Sequence, residues 1–83
     1  MEPMTTHQLK TWPEYFASII DGTKMFEVRK ADSSFKVGDT LLLREWLPHV
    51  EGYTGREARR NVDYVLDGGQ FGIEPGFCVM SIS

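Results

Sequence analysis

Apolar and polar residues alternate near the start of the chain. His7, Leu9 and Thr11 fall on one side and Gln8 and Lys10 on the other, which predicts a first strand. Pro13 suits the first position of a helix, because it has no N–H to leave unpaired there. Tyr15, Phe16, Ile19 and Ile20 then recur at helical spacing, and Gly22 stops the helix as a left-handed cap. A second strand is predicted over Lys24–Lys30, with Phe26 and Val28 on the core face and Met25, Glu27 and Arg29 on the other. Ala31–Ser34 reads as a polar loop, leading to Phe35-Lys36-Val37 and a Gly38-Asp39 turn. Thr40–Trp46 is a third strand, where Leu41, Leu42 and Leu43 in succession predict burial on both faces. Pro48–Gly55 reads as a loop, and Arg56–Leu66 as a long strand with Ala58, Val62, Tyr64 and Leu66 on one face. Arg60 breaks that face, so either a bulge shifts the register there or Arg60 faces an open barrel mouth. Gly68–Gly72 is a permissive loop, and Phe77–Ile82 closes the fold. One or two short helices and five to six short strands predict an α+β class, a small and partly open β-barrel.

Length and composition change this picture little. With 83 residues the chain forms one domain over residues 1–83. A domain this small buries only about 60–65% of the surface its unfolded chain exposes, so its core is small. Cys78 has no partner for an internal disulfide and lies among Phe77, Val79 and Met80. A buried structural thiol and a reducing, cytoplasmic home are expected, for a soluble chain without a leader or membrane span.

Charge narrows the function classes. Nine basic and twelve acidic residues give a net charge of −3, which argues against a general phosphate binder but leaves room for a local site. Basic residues gather at Arg56, Arg59 and Arg60 and at Lys24, Arg29 and Lys30; solvated strand faces are the plain reading of both groups. Lys24, Glu27 and Arg29 lie within six positions, and make either a polar binding floor or an ion-pair surface. Gly68–Gly72 lacks the spacing of a phosphate loop or dinucleotide fingerprint. His7, His49 and Cys78 lack metal-ligand spacing, so neither metal nor cofactor is expected.

An ordered set of segments carries a resemblance. His7-x-Leu9-Lys10, Pro13-Glu14-Tyr15-Phe16, Gly22-x-Lys24-x-x-Glu27-x-Arg29, Val37-Gly38-Asp39, Tyr53-Thr54-Gly55-Arg56-Glu57 and Gly76–Ile82 follow one another. The chain resembles a small ASCH-like protein of the PUA superfamily, in a branch of short bacterial and phage proteins, from about His7 to Ile82. It departs from that pattern at Ala31-Asp32-Ser33, where close relatives carry Asn-Asp-Arg, and at Glu27, where a hydrolase branch carries threonine.

The resemblance implies a compact barrel whose cleft is walled by Lys24, Glu27 and Arg29, with His7, Lys10, Tyr53, Thr54 and Arg56 as further binding residues. Three functions stay open. One is a binding module for single-stranded RNA or a modified nucleotide, with Trp12, Tyr53 or Trp46 as stacking platforms. Another is a small hydrolase of acylated nucleosides or RNA, with Lys24 as base or nucleophile and Glu27 or Glu57 moving the proton. The third is an accessory protein that binds a protein partner, in which Glu27 merely pairs with an arginine.

Overall fold

The computed structural model describes residues 4–83, which form one helix and a five-stranded mixed sheet. In chain order the elements are β1 (Thr6–Thr11), α1 (Pro13–Ile20), β2 (Phe26–Lys30), β3 (Thr40–Leu47), β4 (Gly52–Asp67) and β5 (Phe77–Ile82). The sheet order is β1-β3-β4-β5-β2, with β1 and β3 parallel and every other pair antiparallel. No ladder among the described residues joins β1 to β2. The domain is therefore α+β with an open sheet, not a barrel closed by hydrogen bonds.

Strand β4 explains how so small a sheet wraps a core. Its sixteen residues pair with β3 over the first part and with β5 over the second. The register shifts between Val62 and Tyr64, so the bulge lies beyond Arg60 rather than at it. Such an irregularity bends the strand and increases its twist. As a result β2, at the far edge of the sheet, returns towards β1. The Arg29 guanidinium on β2 donates to the Lys10 carbonyl on β1 at 3.0 Å, a side-chain bridge between the two edge strands.

One face of the sheet packs against α1. Leu41 and Leu43 of β3, Val62 of β4 and Cys78, Met80 and Ile82 of β5 form the core with Ile19 and Phe35. Helix α1 covers it with a narrow stripe only. Phe16 and Ile19 are buried, while Tyr15 and Ile20, expected in the same stripe, are exposed. An eight-residue helix has about two turns, enough for one i, i+3 pair to face inward. Leu42 is half-buried on the outer face, so the three leucines do not all share full burial. Tyr64 is exposed because the register shift turns it out of the Ala58–Val62 face. Arg60 shares that inner face and donates to the Ile19 carbonyl at 3.2 Å, satisfying the helix end.

The alternation in β2 runs opposite to the expectation. Glu27 faces inward beside Met80, whereas Phe26 and Val28 are about half exposed. The register with β5 decides this: Met80 and Cys78 point into the core, so their partners Glu27 and Arg29 take the inward parity. A buried carboxylate is tolerable there only because cations meet it. The strand also begins at Phe26, leaving Lys24 in the preceding turn. β3 and β4 extend further than expected, reducing the loop between them to residues 48–51.

A second buried polar group pins the other end of the sheet. The Asp39 carboxylate accepts hydrogen bonds from His7 Nε2 at 2.8 Å, the Thr5 amide at 3.2 Å and the Lys36 amide at 3.0 Å. The His7 ring packs against Phe35 with centroids 4.5 Å apart. Burial alone would raise the Asp39 carboxyl, but the hydrogen bonds from His7, Thr5 and Lys36 outweigh it and hold the pKa below the ordinary value of 3.8. No helix of the described residues is long and apolar enough to cross a membrane.

Candidate functional site

The gap between the edge strands is a cleft. Lys10 and Thr11 of β1, Trp12 and Tyr15 at the start of α1, Lys24 of the turn and Phe26–Arg29 of β2 enclose about 490 Å³. Local sequence sets most of these positions. Pro13 holds Trp12 extended, with φ −63° and ψ 150°, so the chain leaves β1 and enters the helix without a side-chain cap. Trp12 and Tyr15, three residues apart, then stack with centroids 6.3 Å apart and planes inclined by 23°.

The turn after α1 places Lys24. Gly22 adopts φ +82° and donates to the Ile19 carbonyl at 3.2 Å, a conformation that a side chain would strain. Asp21 accepts from the Thr23 amide and hydroxyl at 2.9 and 2.6 Å, and the Lys24 amide returns to Ser18 at 3.0 Å. The Lys24 ammonium then reaches Glu27 Oε1 and the Phe26 carbonyl, each at 2.7 Å. It lies 4.9 Å from the Phe26 ring centroid.

Glu27 is the hub of the cleft. Its side chain is 4% exposed, Lys24 holds one oxygen, and Arg29 Nε donates to the other at 2.9 Å. Arg29 uses a second nitrogen on the Lys10 carbonyl, so the same guanidinium orients the carboxylate and spans the gap. Lys10 offers its carbonyl at the rim, and two cations meet one carboxylate, which leaves the charged floor of the cleft net positive inside a chain of net charge −3. Its walls are otherwise aromatic and aliphatic. Trp12, Tyr15, Phe26 and Val28 are each between 46% and 51% exposed, a contiguous apolar surface beside fixed charges.

The other residues singled out from the sequence lie elsewhere. His7 is bound to Asp39 beneath the sheet. Thr54 and Arg56 gather around the buried Glu45, with the Thr54 hydroxyl donating at 2.8 Å and Arg56 3.7 Å away. Gly55, at φ +93°, allows both residues to face that carboxylate from a strand irregularity. Tyr53 packs edge-on against Trp46 on the outer face, with centroids 4.8 Å apart. Glu57 pairs with Arg44 at 2.9 Å and does not line the cleft with Lys24.

Tyr15, Phe26 and Val28, which apolar spacing places in the core, line the cleft instead. The signal available for them was Glu27, a carboxylate flanked by two cations on a strand short enough to be an edge. Glu45 was also readable, since it continues the inward parity of Leu41 and Leu43.

A family model matches residues 6–82, and the chain belongs to that family, described as a domain of unknown function, DUF3850. It is also similar to an uncharacterised 12.9 kDa protein in the GpA 3' region of Escherichia phage P2, with 38% identity over 61 residues. That similarity covers 74% of this chain and 54% of the phage protein, so the chain spans about half the length of this curated relative.

Proposed function

We propose that the cleft between β1 and β2 binds a nucleotide, and that the protein is an RNA- or modified-nucleotide-binding module. In this reading the curled, open sheet is a variant of the ASCH-like barrel of the PUA superfamily, working in the bacterial or phage-infected cytoplasm. The observation that carries it is the pairing, in one cavity, of half-exposed Trp12, Tyr15 and Phe26 with Lys24 and Arg29. Aromatic faces stack on any base, and stacking contributes about 1–3 kcal/mol per base. The cations favour phosphate or a base carbonyl, because Glu27 neutralises one of the two positive charges on Lys24 and Arg29 and leaves the other for an anion. A cavity of about 490 Å³ falls within the range of small-ligand sites.

Tryptophan fluorescence tests this directly. In a Trp46→Phe background only Trp12 reports, and nucleoside monophosphates should quench it with Kd on the order of 0.1–1 mM. Lys24→Met should weaken the quenching at least about tenfold, equivalent to about 1.4 kcal/mol. Unchanged fluorescence with every nucleotide and short RNA would overturn the reading and favour a protein partner. Turnover of N-acylated cytidine, lost in Lys24→Met, would replace binding with hydrolysis.

A further inference from the structure

The cleft does not end at Lys10. We propose that the outer face of β1, β3 and β4 carries a bound strand onward, so that the ligand is a single-stranded polynucleotide held through several phosphates. This rests on the nucleotide reading of the cleft and extends it to a second surface.

Register places the parts of that surface. Gln8 and Lys10 of β1 lie beside Leu42 and Arg44 of β3, which face Arg59 and Glu57 of β4, while Trp46 faces Tyr53. Lys10 belongs to both regions: it lines the cleft, and its ammonium lies 4.0 Å from the Trp46 ring centroid. Arg44 lies 3.8 Å from the Tyr53 ring centroid. Glu57 at 2.9 Å and Gln8 at 3.4 Å hold it from either side. Two aromatic rings thus fix two cations above a sheet face, and Arg59 stands exposed one strand pair further along.

Charge then selects the occupant. Three cations oppose Glu57 where the three strands pair, and among the described residues neither Lys10 nor Arg59 has a carboxylate partner. A net-acidic chain that keeps a local positive track beside a positive cleft suits a polyanion. Lys10 and Arg44 are direct cross-strand neighbours, about 5 Å apart, and Arg59 is the diagonal neighbour of Arg44, about 7–8 Å away. The three cations therefore cross the strands with a spacing comparable to the stride between phosphates of an extended single strand. A duplex would not reach the cleft with one of its nucleotides unless that nucleotide left the helix, whereas a single strand needs no such cost.

Length dependence separates this inference from the reading beneath it. Uridine monophosphate and oligouridylates of two, four and eight units are titrated at low and moderate salt. The cleft alone predicts that the octamer gains only the statistical factor, about eightfold. The track predicts a gain of about a hundredfold or more, with log K falling against log salt at a slope near −2, about −0.7 for each of three phosphates. Arg44→Gln/Arg59→Gln should abolish that gain and leave mononucleotide affinity unchanged, with the fold checked by circular dichroism. Arg59→Gln alone, at an exposed side chain, should lose part of the gain if the double variant is unstable. Mononucleotide binding without a gain beyond the statistical factor would overturn the track and leave the cleft standing. No binding of any length would overturn both.

Discussion

Replacing Glu27 with glutamine changes one charge and almost no volume, and it strikes the hub of the cleft. The Glu27 side chain is 4% exposed and both its oxygens are used, at 2.7 Å by Lys24 and 2.9 Å by Arg29. An amide can accept from only one of these cations and turns a donor towards the other. Breaking a fully buried ion pair costs about 3–5 kcal/mol. The Lys24 and Arg29 side chains are 17% and 25% exposed, so water recovers part of that, and the expected loss is about 2–3 kcal/mol. Unfolding entropy near 2.1 cal/mol/K per residue over 83 residues converts this loss to a fall in Tm of about 12–17 °C. Thermal melts by circular dichroism and urea midpoints measure it. Glu57→Gln is the internal control: that side chain is 43% exposed, and its pair with Arg44 should contribute no more than about 1 kcal/mol. A Glu27→Gln loss below about 1 kcal/mol would refute the reasoning, because it would make the Glu27 pairs equivalent to exposed ones.

Other perturbations follow from the same packing. Asp39→Asn should cost about 2 kcal/mol, since the amide cannot accept all three hydrogen bonds from His7, Thr5 and Lys36. Because the folded pKa of Asp39 lies below its ordinary 3.8, its contribution is complete above that value and is lost as pH falls through the folded one. The wild type should therefore lose stability more steeply than Asp39→Asn below about pH 4, and parallel acid limbs in urea midpoints would contradict this. Burial, reinforced by the Asp67 charge, pushes the Cys78 thiol up, so a disulfide reagent should label it at least about a hundredfold more slowly in the folded protein than in urea. Gly68→Ala should cost more than about 2 kcal/mol, because a Cβ there would collide with the Glu74 carbonyl oxygen and lie 2.7 Å from that of Phe77. Gly69→Ala, at φ +89° in open space, should cost only about 1 kcal/mol; equal urea midpoints for the two variants would reject the close approach.

The helix and all five strands could be read from the sequence because each is a local pattern: alternation, an i, i+3 stripe, a proline at one end and a glycine at the other. What escaped was non-local. The inward face of β2 depends on its register with β5, and a pattern-based reading places Phe26 and Val28 inside because apolar residues usually are. A buried carboxylate with two cations reverses that preference. Sheet closure escaped for the same reason, since it depends on a bulge at the middle of β4 and on how far β2 returns towards β1. Lys24, Glu27 and Arg29 could be grouped from sequence because one turn and one strand hold all three. Tyr53, Thr54, Arg56 and His7 scattered to other contacts, because position along the chain does not reveal which carboxylate or ring a side chain will meet. Gly68 falls in a stretch whose glycines predict a permissive loop, yet it is a place where backbone segments nearly touch.

The most direct measurement is an amide and tryptophan-indole NMR titration of the 83-residue protein with nucleoside monophosphates and a short RNA. The account predicts shifts concentrated at the Trp12 indole, Lys24, Glu27, Arg29 and Lys10, saturating in the 0.1–1 mM range for the mononucleotide, about the affinity one stacked base and its phosphate contacts supply. Shifts that gather around Glu45, Thr54 and Arg56, or none at millimolar nucleotide, would contradict it.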